Sequence, residues 1–230
     1  MSVRPSRRVL SLLAVVLGLS LVLAGSLVWR SHQKAGDPAS FGSSTARRMA
    51  AQTPSSTART NDRTGPATTV PVVPGTGSTA AAAATPTRVS IAAIGVSAQV
   101  VPVGVTSDGQ MAIPEDVHAV GWYRWSAPPG ATAGSTVLAG HVDSATQGLG
   151  SLFRLRQVAQ GAQVELRTSD GKVHRYRVIA RESFPKTRVP LGQIFRRSGS
   201  PRLTIVTCGG VFDASKRSYE SNIVVTAVPV

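Results

Sequence analysis

From Thr87 to Val230, apolar stretches of strand length recur between turn signals, and this rhythm limits the fold more than any other feature. The stretches are RVSIAAIGV (88–96), AQVVPVGV (98–105), STVLAGHV (135–142), AQVELRT (162–168), HRYRVIARESF (174–184), LTIVTC (203–208) and NIVVTAV (222–228). Between them stand SDGQ, APPGATAG, SDGK and RSGSP, built from residues that favour turns. VELRTSDGKVHRYRV reads as a hairpin with Asp170-Gly171 at its turn. Only LGSLFRLRQV and PLGQIF have a helical look, and both are short. This spacing predicts a mainly β domain over residues 87–230, closed or nearly closed into a barrel, with one or two short helices.

The N-terminal part has a different character. MSVRPSRR supplies Arg4, Arg7 and Arg8, and the following 9–29, VLSLLAVVLGLSLVLAGSLVW, carries no charge. A helix crossing a bilayer core needs about 20 apolar residues. The run therefore predicts an uncleaved transmembrane signal-anchor over 9–29, with residues 1–8 cytoplasmic and the bulk exported. A cleavable signal peptide has an apolar core of about 7–15 residues, although the small residues of LAGS near Ser26 keep cleavage open. Residues 30–86 are dominated by Ser, Thr, Ala, Pro and Gly, and such a composition buries too little surface to offset the entropy of ordering. They read as a disordered tether.

Lys and Arg number 25 against 11 Asp and Glu, a net charge of +14. The basic residues are scattered and no stretch pairs them with an aromatic platform, so nucleic acid is not the expected partner. Diffuse positive charge suits an anionic membrane or envelope. The only cysteine, Cys208, excludes an internal disulfide and a multi-cysteine metal site.

Cys208 ends LTIVTC and is followed at once by Gly209 and Gly210, so it sits where a strand turns into a loop. His141 ends STVLAGH in the same way, unlike His32 in the tether, His118 in an irregular stretch and His174 in an arginine-rich strand. Strand ends of a barrel gather at a rim, which allows both side chains one cleft. A thiol attacks as the thiolate, and a histidine passes protons near neutrality. The two glycines leave room beside the sulfur for a peptide backbone. Read singly, Cys208 is equally a small buried hydrophobe and His141 a bonded residue at a core edge.

VLAGHVD (137–143), LTIVTCGGVFD (203–213) and SYESNIVVTAV (218–228) tie the two together, because they resemble the sortases, specifically the actinobacterial class F type. The likeness runs over residues 87–230. It implies an eight-stranded sortase-type β-barrel, single-pass and anchored with its catalytic domain outside the cell, acting as a monomer without cofactor or metal. It further implies a cysteine transpeptidase in which Cys208 attacks the threonine carbonyl of an LPXTG-like sorting signal to form a thioacyl enzyme. His141 would protonate the departing amine and then deprotonate the acceptor, an amine of a peptidoglycan precursor. Relatives place an arginine after the tyrosine of the last segment, where this chain has Glu220. Arg217 is the expected replacement, as oxyanion donor or substrate positioner, with Arg188 in reserve. Gly209, Gly210 and Asn222 are the expected substrate-binding residues.

Two other readings compete. L,D-type transpeptidases carry Ser-x-Gly-Cys with a nearby upstream histidine, whereas Cys208 follows Thr207 and His141 lies far upstream. A catalytically inactive, tethered wall-binding module on the same barrel draws its support from Glu220 alone. A metalloenzyme fits less well, since no paired-ligand spacing occurs.

Overall fold

The computed structural model of the chain describes residues 39–51 and 84–230. Helix α1 (Ser43–Ala51) precedes β1 (Pro86–Ile91), β2 (Val96–Val103), β3 (Ala119–Tyr123), β4 (Ser135–Ala139), β5 (Asp143–Ser144) and β6 (Gly148–Leu149). After them come β7 (Gln163–Thr168), β8 (Val173–Pro185), helix α2 (Leu191–Ile194), β9 (Arg202–Asp213) and β10 (Ser218–Pro229). Eight strands close into a barrel in the order β1-β2-β3-β4-β9-β10-β8-β7, and β5 pairs with β6 apart from it. The expected eight-stranded barrel is present. The helical candidates reduce to a 3-10 turn at Phe153–Gln157 and the single turn of α2.

Side chains alternate along a strand, so each strand of this barrel offers one face inward and one outward. On β9, Leu203 and Ile205 join the interior with Leu138 of β4 and with Ile223 and Val225 of β10. The alternate residues Val206, Val137 and Val224 face outward and pack against Ile194 of α2, with Tyr123, Phe184, Val189 and Phe195. Covering on both sides explains why STVLA is buried at every position and reads as a continuous apolar run. Each fully buried Val, Leu or Ile contributes about 1.5–3 kcal/mol before entropy is counted. The outer cluster is the floor on which the cleft described below is built.

The predicted turn is formed as expected. Gly171 has φ +81, and Asp170 Oδ1 accepts hydrogen bonds from Thr168 Oγ1 at 2.6 Å and Lys172 N at 3.3 Å. That local network lets β7 and β8 pair antiparallel with Val164 opposite Tyr176.

The disordered tether expected over 30–86 does not extend through residues 39–51, which lie against β8. Phe41 and Arg181 exchange backbone hydrogen bonds of 2.9 and 3.1 Å. The buried Arg181 guanidinium donates to Val158 O at 2.6 Å and to Ala39 O at 2.8 Å, and sits 4.9 Å from the Phe41 ring centre. Gly42 has φ +75, and a Cβ there would lie 2.0 Å from Ile179 O, so only glycine fits this approach. Composition hid the contact, because one aromatic residue among small polar ones is enough to dock a short segment. Among the described residues no helix is long and apolar enough to cross a membrane. The span expected over 9–29 and the tether residues 30–38 and 52–83 lie outside the described residues, while β1 opens at Pro86, one residue inside the bounds expected for the tether.

Candidate active site

Strands β4 and β9 run parallel, with Val137 opposite Thr204 and Ala139 opposite Val206. The ladder continues one step further, from Gly140 N to Val206 O at 3.2 Å. His141 is two residues beyond Ala139 and Cys208 two residues beyond Val206, so register sets them level and on the same face. Thr207 Oγ1 donates to Gly140 O at 2.8 Å and fastens the two strand ends together. On the other side of β9, Asn222 of β10 stands directly opposite Cys208.

All three side chains open on one cavity of about 670 Å³. Its walls come from Val105 to Ile113, from the β8–β9 connection (Lys186, Thr187, Val189, Leu191, Ile194, Phe195) and from the outer faces of β4 and β9. That volume lies within the usual range for small-molecule and peptide side-chain sites. Val105, Ile113 and Leu191 leave apolar surface exposed at its edge.

His141 Nε2 lies 3.0 Å from Pro114 O. A carbonyl has no hydrogen to give, so Nε2 donates, and in the neutral tautomer that makes this bond the basic nitrogen is Nδ1. The segment bearing Pro114 is itself held by Gln147, which donates Nε2 to Glu115 O at 3.0 Å and accepts from Val117 N at 3.2 Å.

Cys208 is half-buried, and burial pushes its thiol above the ordinary range. Lys186 pulls it down and Asp143 pushes it up. Tyr219, in β10, donates its hydroxyl to Asp143 Oδ2. Burial, and then that bond, raise the phenol far above its usual value, so it remains a donor at any ordinary pH. The site thus pairs a protonated thiol with a histidine whose basic nitrogen is free. Such a pair can transfer a proton as a C–S bond forms.

The remaining expected residues fall differently. Arg217 is exposed in the β9–β10 turn with φ +48 and does not line the cavity. Arg188 is exposed in the 3-10 turn Lys186–Arg188 and does not line it either. The structure brings neither arginine to the sulfur. Gly209 and Gly210 are not part of the lining; Gly210, at φ +78, instead makes a bulge in which Gly210 and Val211 oppose Glu220 alone. Lys186, Asp143, Tyr219 and Pro114 do not stand out as site residues in the sequence. Lys186 and Asp143 were within reach, since Lys186 stands two residues before Arg188 and Asp143 closes the motif VLAGHVD. Pro114 acts through its backbone carbonyl, which residue type does not reveal.

The sortase domain family matches residues 89–230. Among solved structures, a lid mutant of sortase A from Corynebacterium diphtheriae is similar at 21% identity, covering 62% of this chain and 68% of that one, with a TM-score of 0.47. Sortase C-1 from Actinomyces oris is similar at 19% identity, covering 62% and 72%, with a TM-score of 0.48. Sortase C1 from Streptococcus suis is similar at 18% identity, covering 64% and 74%, with a TM-score of 0.49. No curated protein matches the sequence. The matched family segment takes in well over half of the chain, including His141, Cys208 and all of β2 to β10. This chain belongs to the sortase domain family.

Proposed function

We propose that the chain is a class F-type cysteine transpeptidase that cleaves an LPXTG-like sorting signal and joins the substrate protein to a cell-wall amine. The observation that carries this reading is the level placement of His141 and Cys208 on parallel strand ends, open to one cavity. The motifs Gly140-His141-Val142-Asp143 and Thr207-Cys208-Gly209-Gly210 favour the class F type. The uncharged run 9–29, preceded by Arg4, Arg7 and Arg8, would hold the enzyme to the membrane with its barrel outside.

In the first half-reaction the Cys208 S–H proton passes to His141 Nδ1 while sulfur bonds to the threonine carbonyl carbon. The carbonyl electron pair moves to oxygen. Collapse restores C=O and breaks the C–N bond, and the departing amine takes the proton from His141. In the second half-reaction an acceptor amine gives a proton to His141 and attacks the thioester. Sulfur leaves with the C–S electron pair and recovers that proton. Because burial keeps the thiol protonated, transfer during bond formation fits the site better than a standing thiolate.

The test is to incubate the full chain in detergent with a sorting peptide and an amine, and to follow both cleavage and the new amide by mass spectrometry. Wild type should give both products and a Cys208 thioester. Cys208→Ala should give neither while keeping its circular dichroism spectrum. An Ala variant that turns over at the wild-type rate would remove the thioacyl step. A wild-type chain that binds wall fragments but cleaves no sorting peptide would favour the inactive binding module.

A further inference from the structure

Acyl transfer at Cys208 places negative charge in the cavity twice: on sulfur as the thiol ionises, and on the carbonyl oxygen of the tetrahedral adduct. Burial opposes both, so a cation at the site has an evident use. Arg217 and Arg188 are exposed and outside the lining. Among the described residues that line the cavity, Lys186 is the only lysine or arginine.

Its position follows from register. Phe184, Asn222 and Cys208 stand abreast across β8, β10 and β9. Lys186 comes two residues after Phe184, just past the end of β8, and so reaches the rim beside the Cys208–Asn222 pair. Its ammonium is exposed but tied; Nζ donates to Ser218 Oγ at 2.7 Å, beside the turn of the β9–β10 hairpin. Other charges nearby have different places. Asp143 acts against the thiolate and is bonded by Tyr219. Arg156 lies 5.1 Å from the Phe153 ring centre, outside the cavity lining, and its charge is felt at Tyr219.

The geometry points to Lys186 as the cation that stabilises negative charge at Cys208 and on the adjoining carbonyl oxygen, held in place by Ser218 and doing the work expected of an arginine. Asn222 adds a neutral donor from the facing strand. This rests on the transpeptidase reading for the carbonyl, whereas the effect on sulfur is independent of any peptide. A lysine gives a point charge without the planar fork of arginine, so the role asks for proximity rather than for a bidentate bond.

The single cysteine makes the test direct, because iodoacetamide alkylation of the folded full chain in detergent reports on Cys208 alone. Lys186→Gln should slow alkylation several-fold at neutral pH and move its pH profile upward, leaving the high-pH plateau unchanged. Lys186→Arg should stay near wild type, and Ser218→Ala should fall between. Added salt should narrow the gap between wild type and Lys186→Gln, because the ammonium is exposed and screened. Single-turnover acylation by a sorting peptide should drop roughly tenfold in Lys186→Gln, below the loss typical of a fixed buried donor. A Lys186→Gln profile that overlays wild type at low salt overturns the assignment. A shift seen in Arg156→Gln instead would overturn it in favour of Arg156. If the chain transfers no peptide yet Lys186→Gln still moves the alkylation profile, the transpeptidase reading fails while the charge on sulfur stands.

Discussion

Tyr219 donates its hydroxyl hydrogen to Asp143, which lies two residues past His141. Through this bond the strand that pairs with Cys208's strand is tied to the segment that carries the histidine. Tyr219→Phe removes the tie and little else, since the ring also packs edge-on against Phe212 with centroids 5.1 Å apart. A partly exposed bond of this kind is worth about 1 kcal/mol, so thermal unfolding should shift only slightly. Acylation should fall several-fold more than that stability change explains, because His141 loses its fixed place relative to sulfur. Equal acylation in Tyr219→Phe and wild type would make the bond merely structural.

Asp143 also bears on pH. Its negative charge disfavours a neighbouring thiolate and so helps hold the Cys208 thiol high. Asp143→Asn keeps an acceptor for Tyr219 and deletes the charge. Less opposition to the thiolate means a lower thiol pKa, hence alkylation that begins at lower pH and runs faster at neutrality. Wild-type alkylation should in turn begin at higher pH than that of a free cysteine. An Asp143→Asn profile displaced upward would contradict this sign.

How much of this was legible beforehand depended on which face a residue shows. The barrel was readable because Leu203, Ile205, Ile223 and Val225 belong to stretches that only a strand covered on both sides explains. His141 and Cys208 could be singled out by strand-end position, but their meeting depends on β4 and β9 being parallel neighbours, a long-range pairing that no local pattern encodes. That Arg217 and Arg188 fall outside the cavity has a related reason. Arg217, Arg188 and Lys186 all sit in turns, and the direction of a turn side chain follows from the packing around it. The docking of residues 39–51 was hidden because its energy is concentrated in Phe41, Gly42 and one distant buried arginine, Arg181.

Gly210 offers a separate test of local geometry. Its φ of +78 suits glycine, and an added Cβ would sit 3.0 Å from Ser221 Oγ and 3.1 Å from Ser221 Cβ. Gly210→Ala should therefore cost about 1–2 kcal/mol, measured by urea unfolding. Because the bulge begins two residues after Cys208, acylation should fall as well. If the substitution proves neutral in both measurements, the bulge does not set the position of the sulfur.

The docked segment makes a prediction about truncation. Deleting residues 1–38 leaves Phe41 and α1 in place, and that protein should unfold at the temperature of the full chain. Deleting residues 1–83 strips the Phe41 ring and Ala39 O from Arg181 and exposes what Ala46 covers. The loss should be about 1–3 kcal/mol, from one aromatic contact and one charge-assisted hydrogen bond. Calorimetry on the two truncations decides it. Matching unfolding temperatures would mean that residues 39–51 add nothing to the barrel.

Arg217 permits the sharpest separation of two roles. At φ +48 it occupies the left-handed region, which costs a residue with a Cβ about 1–2 kcal/mol. Glycine relieves that strain but gives back part of the gain through a freer unfolded chain, about 0.4–1 kcal/mol. Arg217→Gly should therefore stabilise the protein by about 0.5–1 kcal/mol, read as a higher midpoint in thermal unfolding. Turnover should stay at the wild-type level, because the side chain is exposed in the hairpin turn and outside the cavity that holds Cys208. Arg217→Ala keeps most of the strain and should show neither gain nor loss. If Arg217 were instead the oxyanion donor, both variants would lose about 10²–10³ in turnover, whatever happened to stability. A stable but inactive Arg217→Gly enzyme would return the arginine to the site and leave Lys186 without its role on the carbonyl oxygen.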